Sequence, residues 1–264
     1  MDTSNMDSLK KPVIAGNWKM HKTIAEAVSL SQAIASQAAE VDKASLILAP
    51  PFTAISEVKK VVQSTKIKVA AQDVFWEDEG AFTGEISPPQ LKEAGCNLVI
   101  IGHSERRQFF QETDETVSRK VRAALKHDLL PIVCIGETLE ERDKGFTLKK
   151  IKDQLENSVF SLSPEDFKKI ILAYEPIWAI GTGRNATPEQ AEEVHSFIRD
   201  LIAERYGKDL ASYAIILYGG SVKPANAFSL GREKNIDGFL VGGASLEAES
   251  FVTIAREAIR SNEG

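Results

Sequence analysis

The 264 residues predict an α/β fold, a single (β/α)8 barrel. Eight short apolar runs recur along the chain, each followed by helical signals. These runs do not alternate polar with apolar residues, which suits strands buried on both faces of a parallel sheet. No linker, low-complexity stretch or shift of composition interrupts them, and one barrel of ~250 residues accounts for the length. A doubly wound open sheet is the competing arrangement, but no G-x-G-x-x-G follows the first run.

Taken in order, the runs occupy residues 13–16, 45–49, 68–71, 97–101, 130–135, 169–174, 214–218 and 237–241. After the first, Thr23-Ile24-Ala25-Glu26 is a capping box, with Thr23 as cap and Glu26 reaching back to it. Leu46-Ile47-Leu48-Ala49 and Leu98-Val99-Ile100-Ile101 are unbroken apolar strands. Beyond the fourth run a Thr113/Asp114 cap precedes Val117, Val121, Ala124 and Leu125, which share one helical face. Following the sixth, Thr187-Pro188-Glu189-Gln190 supplies a Thr cap, Pro at the first helical position and a capping Gln. After the eighth, Phe251, Ile254, Ala255, Ala258 and Ile259 form the apolar stripe of a helix placed after Ser245.

Composition narrows the function classes. A formal net charge of −6, with no Lys/Arg stripe interleaved with aromatics, argues against a nucleic-acid partner. It leaves room for a locally positive pocket that takes an anionic small molecule. Cys96 and Cys134, the only cysteines, fall in or beside apolar segments and read as buried thiols of a reducing compartment. No stretch reaches the ~18 apolar residues a membrane span requires. Residues 1–11 are polar and lack the apolar core of a secretory signal; a disordered extension is expected there, with Met6 as an alternative start. Residues 12–264 are then the barrel, and the expected location is cytoplasmic.

In this fold the active site lies at the C-terminal ends of the strands, so chemistry is sought just after each run. Past the sixth run, Glu175 opens a loop bearing Gly181 and Gly183. A carboxylate between a rigid strand and a loop able to close over it suits a base that works with water excluded. A surface salt bridge beside an ordinary β–α connection is the plain alternative. After the first run, alternation along an extended segment points Asn17 and Lys19 one way and Trp18 the other. The amide and ammonium would hold a substrate oxygen and offset its charge; a turn Asn and a snorkelling Lys are the alternative. After the fourth, His103 stands before a short helix whose positive end would lower its pKa and keep the imidazole neutral. His21, His127 and His195 attract no chemistry, and Arg106 and Arg107 read as structural ion-pair or interface residues.

The last two strand ends carry Gly219-Gly220-Ser221 and Gly242-Gly243. Glycines let backbone amides approach an anion, and barrels frequently place a phosphate site in these two loops. Turn glycines without a ligand are the alternative. Four scattered histidines, two cysteines and no paired carboxylate motif offer no metal site, and neither a nucleotide P-loop nor a Ser-His-Asp constellation is present.

Together these segments resemble the triosephosphate isomerase family over essentially the whole chain, from about Pro12 to Arg260. The likeness is carried by Gly16-Asn17-Trp18-Lys19-Met20, Gly80-Ala81-Phe82-Thr83-Gly84-Glu85, Gly102-His103-Ser104-Glu105-Arg106-Arg107, the loop opening with Glu175, Tyr218-Gly219-Gly220-Ser221 and Val241-Gly242-Gly243-Ala244-Ser245. The resemblance implies a TIM barrel and a cofactor-free, metal-free isomerase. It would interconvert dihydroxyacetone phosphate and D-glyceraldehyde 3-phosphate through an enediolate, in glycolysis and gluconeogenesis. The base, the neutral histidine and the closing loop belong to the general description of that family and are not consequences of spacing here.

By resemblance Glu175 is the base, His103 the donor to the carbonyl oxygen, Lys19 the charge offset and Asn17 a holder of substrate oxygens. Gly181, Ser221, Gly242 and Gly243 would grip phosphate, while Ile180 and Leu240 clamp the base when the lid, residues 176–186, shuts. Trp178 belongs to the first hinge, Glu105 orients Lys19 and His103, and Glu137 and Tyr218 hold the open and closed lid. Residues 80–87 resemble the family's interdigitating dimer loop, with Phe82 at its centre and Thr83 reaching the partner's site, so a homodimer is expected. Arg184, His21 and Asp73 depart from residues common in the family without removing a chemical group. A Schiff-base aldolase using Lys19, and a non-catalytic phosphate-binding homologue, are the alternative functions.

Overall fold

A computed structural model describes residues 6–179 and 186–263. Eight parallel strands close into a barrel in chain order. They are β1 (Val13–Asn17), β2 (Ser45–Ala49), β3 (Lys68–Ala71), β4 (Leu98–Ile101), β5 (Leu130–Ile135), β6 (Ile171–Tyr174), β7 (Ile215–Tyr218) and β8 (Gly238–Val241). Closure is made by β1 pairing with β2 on one side and β8 on the other, Val13 opposite both Ser45 and Gly238. The expected runs coincide with these strands to within two residues at either end. Differences arise because a strand stops where its neighbour's ladder stops, which sequence alone does not show.

Every strand is buried on both faces, and side-chain alternation splits its residues between two cores. Ala15, Ile47, Ala70, Ile100, Ile132 and Ala173 fill the barrel interior. Ile14, Leu48, Val69, Val99, Val133 and Leu172 face outward into the layer shared with the helices. Each fully buried branched side chain contributes about 1.5–3 kcal/mol. The predicted caps form: Thr23, Thr113 and Thr187 each accept a backbone N–H at the start of Ile24–Gln37, Asp114–Lys126 and Pro188–Tyr206. The last helix differs. Ser245 turns its hydroxyl back to the Gly242 carbonyl inside a 3-10 turn, and the α-helix runs Ala248–Ser261.

The N-terminal segment requires a correction. Disorder was expected through residue 11, yet from Met6 onward the chain is anchored to the barrel, with Asp7, Ser8, Lys10 and Lys11 exposed. Met6 is 4% exposed and sits with Val13, Ile47 and Ile100 at the lower end of the barrel interior. Asp7 accepts from the Tyr213 hydroxyl at 2.8 Å, and the backbone N–H of Lys10 donates to Ser45 at 2.7 Å. Lys11 pairs with Asp237 at 2.7 Å. One methionine supplied what a polar segment lacks: an apolar group that fits the open end of the barrel.

Candidate active site

A pocket of about 560 Å³ opens at the C-terminal ends of the strands, lined among others by Asn17, Lys19, His103 and Glu175. Alternation from the interior residue Ala173 aims Glu175 into the barrel mouth, and alternation from Ala15 does the same for Asn17. His103 arrives differently. Gly102 has φ +75°, a left-handed turn that brings the next side chain inward.

Lys19 also arrives differently from the expectation. It lies beyond β1 with φ +53°, so strand alternation does not continue to it. Asn17 Oδ1 accepts its N–H at 3.0 Å, and its carbonyl accepts from the Gln72 amide at 2.8 Å. The same amide holds the Ala49 carbonyl at 2.9 Å. Side-chain amides on both flanks stabilise the left-handed turn, and the turn delivers Lys19 to the pocket. Its ammonium is held by Glu105 at 2.5 Å. Trp18, between the two, is fully buried in the outer core.

His103 caps the short helix Ser104–Phe109, its Nδ1 accepting the Glu105 N–H at 3.2 Å. With Nδ1 an acceptor, the proton resides on Nε2, which faces Glu175 Oε1 at 2.9 Å. The other carboxylate oxygen of Glu175 accepts the Ser104 N–H at 2.9 Å. Burial opposes charge on both side chains, but each outweighs it for the other. Burial lowers the His103 pKa, yet the Glu175 carboxylate beside it raises it overall. Burial raises the Glu175 pKa, yet His103 and the Ser104 N–H bring it below the ordinary carboxylate range. The expected downward shift of His103 is therefore reversed here by its neighbour. A backbone N–H aimed at Nδ1 still favours the neutral Nε2–H tautomer, and we assign that form.

Glu175 is 2% exposed, and Gly219 packs against it: a Cβ at that position would lie 2.9 Å from Glu175 Cγ. Below it, Cys134 is wholly buried in the barrel interior, and burial pushes its thiol well above the usual range, as it pushes Cys96 to about 12. Both are packed thiols. Ser221, Leu240, Gly242 and Gly243 line the same pocket. Ile180 and Gly181 lie outside the described residues.

The sequence matches the triosephosphate isomerase family profile over residues 12–258. The chain belongs to the triosephosphate isomerase family. Among its relatives, the triosephosphate isomerase of Caldanaerobacter subterraneus subsp. tengcongensis is 53% identical over 93% of this chain and 99% of its own length. That of Citrifermentans bemidjiense is 54% identical over 94% and 99%. The enzyme of Alkaliphilus metalliredigens is 51% identical over 93% and 99%.

Around the pocket this triosephosphate isomerase-family chain places the remaining expected residues in two groups. Glu137 is fully buried, and one of its oxygens accepts from the Tyr174 hydroxyl at 3.0 Å and the Trp178 indole at 2.8 Å. Arg142 stacks over the Trp178 ring at 4.5 Å. Trp178 is thus fastened at the entry to the loop. Tyr218 is fully buried with its hydroxyl over Gly220, where a Cβ would approach within 2.2 Å. Phe82 and Thr83 stand outside this pocket; Phe82 is half-exposed and packs on Phe75 at 4.6 Å between centroids. Arg106 and Arg107 pair with Asp73 and Asp114 at 2.9 and 2.6 Å, as structural residues.

Two contributors escaped the sequence reading. Gln72 stands directly after β3, and asking which polar residue follows each strand would have found it. The Ser104 N–H that anchors Glu175 is backbone and carries no residue-type signal.

Proposed function

We propose that the chain interconverts dihydroxyacetone phosphate and D-glyceraldehyde 3-phosphate, with Glu175 as the base. The observation that carries this is the contact of Glu175 with His103 Nε2 at 2.9 Å in a pocket shared with Lys19. A carboxylate, a neutral donor and an ammonium are the three groups an enolisation requires. Glu175 takes a proton from the carbon next to the carbonyl, and negative charge develops on the carbonyl oxygen. His103 Nε2–H donates to that oxygen while Lys19 offsets the charge; a single preorganised donor of this kind contributes about 3–4 kcal/mol. His103 moves a proton from the neighbouring hydroxyl oxygen to the former carbonyl oxygen, and the protonated Glu175 returns its proton to the former carbonyl carbon, which completes the aldose–ketose exchange without a cofactor.

Both oxygens of Glu175 are occupied in the present arrangement, so it must leave Ser104 and His103 to reach substrate. Losing those partners leaves burial, which raises the carboxylate pKa, opposed by the charge of Lys19, and so shifts Glu175 towards a stronger base. Asn17 is read as holding substrate oxygens. Ser221, Gly242 and Gly243, with Gly181, are read as gripping the phosphate, since glycine amides and a serine hydroxyl suit a dianion. Leu240 and Ile180 are read as the apolar clamp that excludes water, and Trp178, Glu137 and Tyr218 as supports of the lid. Glu105 supports Lys19.

A Schiff-base aldolase is disfavoured by the Lys19–Glu105 ion pair at 2.5 Å, because an ammonium so held has no lone pair to attack a carbonyl. Exposed Met20 (94%) and Phe109 and Phe110 (66% each), with the Phe82 loop, support a homodimer in which Thr83 reaches the partner's site. A cytoplasmic location agrees with the two free thiols. The activity is tested by a coupled assay for glyceraldehyde 3-phosphate. Glu175→Gln should lose roughly 10²–10⁴-fold in kcat with a modest change in KM. A Gln variant that keeps wild-type turnover would falsify the assignment of the base.

A further inference from the structure

Glu175 hangs from β6, but its backbone is held by β5. Its N–H donates to the Ile135 carbonyl at 2.8 Å. The peptide bond that owns this carbonyl also owns the Gly136 N–H, and that N–H donates to Gln154 Oε1 at 2.8 Å. One peptide plane therefore carries Glu175 at one end and Gln154 at the other. Gln154 is 2% exposed and belongs to the helix Thr147–Ser158, outside the barrel. Gly136 lies past the end of β5, and its N–H is taken by the Gln154 side chain in place of a strand partner. Close packing makes that orientation matter: a Cβ on Gly136 would lie 1.8 Å from the Glu175 carbonyl oxygen. The following residue extends the linkage to the lid, because the Glu137 carbonyl accepts the Ile177 N–H at 3.1 Å.

We propose that Gln154 is a positioning residue for Glu175, acting through the Ile135–Gly136 peptide. The inference rests on the reading of Glu175 as the base. Gln154 touches no substrate. Its buried amide oxygen holds the N–H of a peptide whose carbonyl carries the Glu175 N–H, and the plane so fixed at both ends sets where Glu175 starts from and returns to. Polarisation adds to the effect, since an N–H engaged by an acceptor strengthens the carbonyl of the same peptide as an acceptor in turn.

Steady-state kinetics on the full chain at 25 °C test this, together with thermal melts. Gln154→Leu removes the acceptor at similar volume and should lower kcat about ten-fold with KM within about two-fold, as expected for a displaced base. Gln154→Glu keeps an acceptor for the Gly136 N–H and should recover most of that kcat. Ser158→Ala removes a hydroxyl that donates to the Gln154 main-chain carbonyl at 2.5 Å, and serves as the structural control. It should lower the melting temperature and leave kcat unchanged. Should the Leu variant not fold, Gln154→Met carries the same measurement. Wild-type kcat in the Leu or Met variant, or equal impairment of the Glu and Leu variants, overturns the proposal. Glu175→Gln run alongside separates the two readings: if it stays active the base is misassigned, whereas if it is dead and Gln154→Leu is normal, only Gln154 is.

Discussion

At the residue scale, the pocket is built from opposed influences on a few titratable groups. Glu175 and His103 each stabilise the other's charged form against burial. His195 is the contrasting case. It is fully buried between Tyr174 and Tyr218, donates Nδ1–H to the Asn235 carbonyl at 3.2 Å, and burial takes its pKa down to about 4. An unfolded histidine titrates near 6.5, so between these values the unfolded chain binds the extra proton. Stability from His195 is therefore complete above pH 6.5 and falls by about 3 kcal/mol as pH drops to about 4. Asp73, raised to about 6 by burial, contributes the opposite slope over much of that interval. Comparing chemical denaturation of the native chain with His195→Gln from pH 7.5 to 4.5 cancels the Asp73 contribution. The native protein should lose more stability on acidification than the variant; parallel curves would show that His195 is not neutral in the fold.

At the element scale, strands and their ends obey different rules. Residues inside the strands follow alternation, which is why burial on both strand faces and the aim of Asn17 were legible in the sequence, as was the place of Glu175 at a strand end. Lys19 and His103 were legible as candidates but not as geometry. Each depends on a left-handed residue, Lys19 itself and Gly102, and on partners distant in the chain such as Gln72. Close approach of elements is another quantity that residue types do not report. Gly219 reads as a phosphate-loop glycine, yet it also makes room for Glu175. Gly219→Ala must displace either Glu175 or the β7 end, since its Cβ would stand 2.9 Å from Glu175 Cγ. We expect kcat to fall at least ten-fold, with a stability loss of about 1–3 kcal/mol from overpacking. Thermal melts and turnover measured on the same sample check this.

At the scale of the whole molecule, the lower end of the barrel is closed by residues that precede the family match. Met6 covers the interior core, and the segment is tied at Tyr213, Ser45 and Asp237. Met6→Asp places an unpaired carboxylate there and should cost about 2–4 kcal/mol of stability. The active site lies at the other end of the strands, so kcat should be unchanged; a fall in kcat with unaltered stability would contradict this account. Met20, Phe109 and Phe110 are exposed large apolar side chains and belong to the proposed dimer face. Mass measurement at micromolar concentration should give twice 28.9 kDa, and an active monomer would remove the argument for a shared site.

The sequence by itself determined the order of strands, the helix caps and the identity of the groups at each strand end. Those properties rest on local periodicity, turn chemistry and residue type, all of which act over a few positions. Only the tertiary structure decided that Glu175 rests on His103 and Ser104, that Lys19 depends on Gln72, and that Met6 packs rather than dangles. Each of these joins residues far apart in the chain, and each depends on distances of a few ångströms. A burial energy or a pKa is set by such distances, and they exist only once the barrel has closed.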